Sequence, residues 1–342
     1  MEQVTGYSIY LAYADEILRQ RGFDVSDIFK AAGIDYASQI GFGQRLPEEV
    51  LANAFLRLYQ HPQLAGFFLE FGATVPVTAH GNMGMAFMAS GTLHDTLDLF
   101  TRFVSIALPG VRAEAVEEGS NTVVRIHTSA RYPEFSCALG EAMLVNLTVS
   151  LQHLTGTDIA PVAATLMQRE PPYAEQFKRW ISAPITFNAD YQSLTFRTRD
   201  LGAKVLTGNP VNLRLLTAQC EKELAEVQAR TGLADRVREM LALNVAENPA
   251  IADVARKLSM SERTLRRRLQ EEGVNFRDLL KDVRHDLAVH YLRDTDARIE
   301  QIADRLGYRD TACFRQAFKQ VEKLSPRQWR QAQGESAGGA SR

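Results

Sequence analysis

Cysteine is scarce in this chain of 342 residues, with only Cys137, Cys220 and Cys313. The three lie far apart and form no CxxC pair, which argues against a disulfide framework or a cysteine zinc site and fits a reducing compartment. No apolar run approaches the ~18 residues needed to cross a bilayer. The first basic side chain is Arg19, so the start lacks the basic region of a signal peptide. With 12 prolines and 22 glycines, long disordered stretches are not expected. What is present, 45% hydrophobic and 23% charged residues, is the make-up of a soluble globular protein with material for more than one core. The length suggests about two or three domains, and the expected location is cytoplasmic.

Excess charge of either sign is also missing, since the formal net charge is −2. That figure hides an asymmetry. Residues 234–342 hold 21 basic and 17 acidic side chains, a balance of +4, whereas the preceding 233 residues hold 18 and 24, a balance of −6. A modestly basic C-terminal third points towards a polyanionic partner.

Catalytic signatures are missing too. His80–Gly84 (HGNMG) has the look of an oxyanion-hole loop, yet the chain contains no G-x-S-x-G elbow to supply a nucleophile. Gly81 and Gly84 precede no Gly-Lys-Ser/Thr, so there is no phosphate-cradling loop. These glycines read instead as tight turns and close helix packing. The histidines His61, His80, His94, His127, His153, His285 and His290 show no ligand spacing, and neither metal nor cofactor is expected. Three scattered cysteines also argue against the thiolate zinc site of DNA-repair methyltransferases. Phe177 and Trp180 could line a pocket, although an aromatic pair at this spacing is more often core.

Helical spacing of apolar residues predicts short helices in SIYLAYADEILRQRG, DVSDIFKAAG and LPEEVLANAFLRLYQ, with Gly22 and Gly33 as stops. A glycine-rich stretch, AHGNMGMAFMASG, follows. Thr92, with Asp95 three residues on, reads as a capping box opening the next helix. Between Arg112 and Ala130 the pattern becomes alternation around a GSN turn, a hairpin signal. A long apolar helix (EFSCALGEAMLVNLTVSLQHLTG) is next, then strand-like PVAATLMQ, a short helix at YAEQFKRWI and two short strands in PITFNADYQSLTFRT. The N-terminal region is therefore α+β, with a sheet antiparallel in part. Residues 210–230 read as one amphipathic helix whose stripe is Leu213, Leu216, Cys220, Leu224 and Val227. That stripe could pack on its own domain or contribute to a homodimer. Thr231-Gly232 is the best boundary.

Beyond it the chain is almost all helix and repeats itself. IADVARKLSMSERTLRRRL lies over IEQIADRLGYRDTACFRQAF: Ala255 on Ala303 and Leu258 on Leu306 at a spacing of 48, Leu265 on Phe314 and Leu269 on Phe318 at 49. One residue inserted in the second turn accounts for the slip. Each copy has a helix with a small Ala, a turn with an apolar plug (Met260, Tyr308) and a second amphipathic helix, the pattern of a helix-turn-helix.

On a wheel of ~100° per residue with Ser261 as N-cap, Leu265 and Leu269 fall together on the buried side. Arg263, Arg266, Arg267 and Gln270 span an arc of about 100° opposite them, and Arg268 lies on the flank. A solvated face normally mixes signs; this one is basic and amide-bearing, suited to guanine edges, adenine and phosphates. The second copy repeats the arrangement with Ala312, Arg315, Gln316 and Lys319, and Arg309 at the helix entrance. Between the copies NFRDLLKDVRHDLAVHYLRDT predicts a continuous helix of ~30 Å, a strut able to hold two reading heads one turn of DNA apart.

Residues 234–334 resemble the DNA-binding domain of the AraC/XylS family of bacterial transcription regulators. The resemblance is carried by MSERTLRRRLQEEGVNF, RHDLAVHYL and IEQIADRLGYRDTACFRQAFK…SPRQWR. It implies base contacts from Arg263, Arg266 and Arg267 in the first unit and from Thr311, Ala312, Arg315 and Gln316 in the second; Thr264, Gln270, Arg309 and Lys319 complete the candidate set. Two departures stand out. Gln316 occupies a position where many relatives carry Arg, and Lys323 one where many carry Gly, so the lysine would bear a left-handed penalty. Ser325-Pro326 still supplies a cap and an N1 proline. TAHGNMGMAFMASGTLHDTLDLFTRF, with the hairpin and the segment ending SLTFRTRDLG, resembles the arabinose-binding-type N-terminal domain of one branch of that family, which implies effector sensing and dimerisation.

The expected architecture is an α+β N-terminal sensor and dimerisation domain (1–210), a helical linker (211–233) and an all-α DNA-binding domain (234–334). The latter holds helix-turn-helix units at about 249–272 and 297–321 joined by a long helix; a disordered tail (335–342) follows. The expected partners are double-stranded promoter DNA, a second copy of the chain and a small-molecule effector, with no membrane. An architectural DNA-binding protein without effector, or an enzyme with a fused DNA-binding domain, are the other readings.

Overall fold

The computed structural model describes residues 5–41, 44–108, 110–128, 133–230 and 232–339. They form two compact units, the first of Met1–Thr128 with Glu134–Thr231 and the second chiefly Gly232–Arg342.

The first unit begins with β1 (Thr5–Tyr7), α1 (Ile9–Gln20), α2 (Ser26–Ala31), α3 (Tyr36–Gln39), β2 (Arg45–Pro47), α4 (Glu48–Tyr59), α5 (Phe67–Thr74), α6 (Gly81–Ala89) and α7 (Leu93–Ala107). It continues with β3 (Arg112–Glu118), β4 (Asn121–His127), α8 (Pro133–Thr155), β5 (Ala163–Thr165), β6 (Ile185–Thr186), β7 (Gln192–Arg197) and α9 (Pro210–Arg230). β1 and β2 pair antiparallel. The other strands form one sheet in the order β3-β4-β7-β5-β6, antiparallel except for β5 and β6. The mixed α+β architecture expected from the sequence is thus present. β3 is an edge strand bearing Arg112, Glu114, Glu117 and Glu118, charges that discourage further strand addition.

Local chemistry explains the element boundaries. The Thr92 hydroxyl accepts from the Asp95 amide while the Asp95 carboxylate accepts from the Thr92 amide, a complete capping box. The glycine-rich stretch is helical, because α6 lies against the turn before it: a Cβ on Gly84 would come within 1.8 Å of the Val77 carbonyl oxygen. YAEQFKRWI forms only a 3-10 turn, Ala174–Arg179, around the fully buried Phe177. α8 runs through the core and is buried nearly all round.

The stripe of α9 packs on its own unit: Cys220 is fully buried and Leu213, Leu216 and Leu224 lie against the core. Tyr7 Oη donates to Glu223 Oε2 (3.0 Å), and Arg102 pairs with Glu221 (2.6 Å). Val211 and Leu215 of the same helix face water instead, as does Leu206 just before it.

The second unit consists of α10 (Leu233–Leu243), α11 (Ile251–Lys257), α12 (Glu262–Glu271), α13 (Phe276–Asp294), α14 (Ile299–Arg305), α15 (Thr311–Glu322) and α16 (Pro326–Gly339). α16 extends through Gly339, so residues 335–339 of the expected disordered tail are helical. Residues 340–342 of that tail lie outside the described residues.

Candidate DNA-binding site

Two helix-turn-helix units stand in the second unit, α11 with α12 and α14 with α15. The first is held by Val254, Ala255, Leu265 and Leu269, the second by Ile302, Ala303, Leu306, Phe314 and Phe318, all buried. The turns match. Ser259 (φ +55°) and Gly307 (φ +66°) occupy the same left-handed position 48 residues apart. The Met260 amide donates to Ala255 O (2.9 Å) and the Tyr308 amide to Ala303 O (3.0 Å). The caps, Ser261 and Asp310, are 49 apart, so Arg309 is the extra residue in the second copy.

α12 starts where Ser261 Oγ accepts from the Thr264 amide (3.1 Å). Leu265 and Leu269 are buried, and Arg263, Arg266, Arg267, Arg268 and Gln270 are exposed. Thr264 is half-buried, its hydroxyl 2.8 Å from Ser261 Oγ, so it serves the helix end. The arginine face is not free of acids. Arg266 pairs with Glu262 (2.7 Å) and Arg267 with Glu271 (2.6 Å), one turn away in opposite directions. Exposed pairs of this kind contribute about 0.3–0.5 kcal/mol, too little to keep either guanidinium from a phosphate or a base edge.

α15 starts where Asp310 Oδ1 accepts from the Cys313 amide (2.7 Å). That amide bond and Arg309 hold the Asp310 carboxyl below its usual range, so it stays ionised at the helix N-terminus. Ala312, Arg315, Gln316 and Lys319 are exposed opposite Phe314 and Phe318; Thr311 is half-buried and Arg309 exposed at the entrance. Arg315 lies 3.4 Å from Glu300.

Two residues that carry the geometry were not singled out in the sequence reading. Arg284, in the middle of α13, donates from Nε to Leu306 O (2.8 Å) and from Nη2 to Gly307 O (2.7 Å) and Asn248 Oδ1 (2.9 Å). Its guanidinium stacks over Tyr308 at 4.8 Å, and burial lowers its pKa. The connecting helix is thereby fastened to the second turn and to the loop before α11. Gly307 fits there because a Cβ would fall 2.3 Å from Val245 O. Glu272, at the end of the first reading helix, accepts from the Leu233 and Ala234 amides (2.9 Å each), capping α10.

The lysine departure has a structural counterpart: Lys323 closes α15 in the left-handed region (φ +61°). Ser325 Oγ accepts from the Gln328 amide (3.3 Å) and the Ser325 amide donates to Gln328 Oε1 (3.0 Å), so α16 opens on a cap with proline at N1.

An α+β unit followed by a helical unit with two exposed basic reading helices defines a DNA-binding regulator. A family model described as the arabinose-binding domain of AraC transcription regulator, N-terminal, matches residues 22–205, and one described as a helix-turn-helix domain matches 254–332. The chain belongs to the AraC-type transcription regulators with an arabinose-binding-type N-terminal domain, a family of regulators and not of enzymes. It is 26% identical over 264 residues to the ornithine utilization regulator of Pseudomonas aeruginosa, covering 77% of this chain and 78% of that one. It is 26% identical over 271 residues to the regulator VqsM of the same species (77% and 82%). Over 78 residues it is 42% identical to the urease operon transcriptional activator of Escherichia coli (23% and 26%). Among solved structures, the regulator CdpR of Pseudomonas aeruginosa is similar at 25% identity and a TM-score of 0.44, covering 90% of this chain and 98% of that one.

Proposed function

We propose that the chain binds double-stranded promoter DNA as a cytoplasmic homodimer, reading bases with Arg263, Arg266, Arg267 and Gln270 of α12 and Ala312, Arg315, Gln316 and Lys319 of α15. Thr311 at the start of α15 adds a further base contact, Arg268 and Arg309 touch the backbone, and Thr264 sets the start of α12. The observation that carries this reading is the pair of exposed basic helices fastened to one strut by Arg284. Phosphate neutralisation supplies most of the affinity and makes it salt-dependent; base edges supply the choice of sequence. No described helix is long and apolar enough to cross a membrane.

The first unit senses a small molecule, and Leu206, Val211 and Leu215 supply apolar surface for the second copy. An apolar cavity of about 80 Å³ in this unit is walled by Phe55, Phe68, Phe100 and Phe135, with His80 and Asn146 at its edge. Their polar atoms are satisfied: Tyr10 Oη lies 2.8 Å from His80 Nδ1, and Asn146 Oδ1 lies 3.1 Å from Nε2. The cavity therefore asks for apolar groups only.

The test is selection of bound fragments from genomic DNA, followed by the Arg267→Ala variant on the selected site. Affinity there falls by about 1–3 kcal/mol with relaxed preference at one base pair. Wild-type behaviour of that variant on specific and scrambled DNA would refute the assignment, and equal wild-type affinity for all sequences would favour an architectural role.

A further inference from the structure

Glu141 lies in the middle of α8 and is fully buried. Its Oε1 accepts from Tyr173 Oη (2.9 Å) and Gln168 Nε2 (3.1 Å), while its Oε2 has no hydrogen-bond partner. Gln168, also buried, leaves its own Oε1 without a partner. Tyr59 hydrogen-bonds Tyr173. Among the described residues no basic side chain acts on the carboxyl group, and burial pushes its pKa up to about 8.

An apolar residue at this position would avoid the desolvation cost, and each unsatisfied buried group adds a further penalty. A buried acid with no counter-charge is a common sign of recognition. Its surroundings specify the complement. Two oxygens lack donors, Glu141 Oε2 and Gln168 Oε1, and the hydroxyls of Tyr173 and Tyr59 continue the polar cluster away from them. Both tyrosines are half-buried, so the cluster reaches the surface through them. Tyr59 also packs edge-on against Phe68 (5.7 Å between centroids), one of the rings walling the apolar cavity. That cavity is smaller than the ~150 Å³ that accommodates benzene, so any tail entering it is short.

We infer that Glu141, Gln168, Tyr59 and Tyr173 form the recognition site for the ammonium group of a small aliphatic amine, the effector of this regulator. The inference rests on the reading of the first unit as a sensor. On binding, the ammonium N–H groups donate to Glu141 Oε2 and Gln168 Oε1. Glu141 gives up its proton to solvent and remains as the carboxylate paired with the unchanged cation. The tyrosines facing it are pushed to higher pKa by burial, which leaves Glu141 as the group that releases the proton.

Calorimetric titration of the full-length chain with n-butylammonium and with 1-butanol, in two buffers of different ionisation enthalpy, tests this. The ammonium binds at least about ten-fold more tightly than the alcohol near neutral pH and releases up to about one proton. The Glu141→Gln variant loses about ten-fold or more of that affinity and the proton release. Equal binding of alcohol and ammonium, undiminished binding by Glu141→Gln, or no binding of butylammonium overturns the inference. The proton count and the ammonium-to-alcohol ratio are read on the wild-type chain, so they stand even if the variant does not fold. DNA affinity separates this site from the reading beneath it. If another class of compound shifts DNA affinity equally in wild type and Glu141→Gln, the sensor reading holds and the amine site is refuted. If butylammonium binds through Glu141 and leaves DNA affinity unchanged, the site holds and the sensor reading is refuted.

Discussion

Arg284 and Gly307 are joined by a 2.7 Å hydrogen bond from guanidinium to carbonyl, which ties the strut between the two reading helices to the turn of the second one. Removing that side chain leaves the Leu306 and Gly307 carbonyls without their charged donor. Arg284→Ala is therefore expected to weaken binding to DNA carrying both half-sites by about 1–3 kcal/mol and to leave binding to a single half-site nearly unchanged. Gel-shift titrations on one-box and two-box DNA measure this, and equal loss on both would contradict it. Arg284→Lys does not restore the two-box affinity, because an ammonium cannot reproduce the fork to two carbonyls and an amide.

Lys323→Gly should stabilise the second unit by up to about 1 kcal/mol, since the lysine sits at φ +61°. The gain is read as a higher urea midpoint at unchanged slope. Lys323→Ala, which keeps a Cβ, gives no such gain.

Gly84→Ala tests the packing of α6. Its Cβ would fall 1.8 Å from Val77 O, a backbone atom with no freedom to move aside. A loss of about 3 kcal/mol or more is expected in thermal or urea unfolding. Gly119→Ala in the hairpin turn meets no neighbour and costs only its left-handed strain.

Stability should fall on both sides of neutrality, for different reasons. Burial lowers His80 from 6.5 to about 4. Its contribution is present above the unfolded value and is lost as pH falls from about 6.5 towards 4. Burial raises Glu141 from 4.5 to about 8. Its contribution is present below the unfolded value and is lost as pH rises towards and through 8. Melting temperature across this range should show both limbs. Glu141→Gln flattens the alkaline limb alone, and an unaltered limb in that variant would contradict the assignment.

The parts legible in the sequence are those in which a residue's neighbours in space are its neighbours in the chain. The Thr92–Asp95 capping box, the Ser261 cap, the left-handed Lys323 and the Ser325-Pro326 start depend on positions a few residues apart. The repeat exposed both helix-turn-helix cores by the same logic. Arg284 was invisible because its partners lie 22, 23 and 36 residues away. Glu141 sits within an apolar helix whose pattern gives no hint of which polar residue is enclosed. The Glu262 and Glu271 partners of the arginine face lie only about 40° from their arginines on the wheel, at the borders of the basic arc, and were missed because the arc was drawn through Arg263, Arg266, Arg267 and Gln270 without its flanks. The α9 stripe was readable, but whether it met its own domain or a second copy depends on surfaces supplied by α6 and α7.

The charged edge strand β3 also has a bearing on how two copies could meet. Joining sheets through that edge would bring Glu114, Glu117 and Glu118 of one copy towards the same acids of the other and desolvate them together. Growth into a continuous ribbon is disfavoured at that border. Any pairing of two copies would be steered instead to helical surface, where a closed contact can form without propagating into larger aggregates.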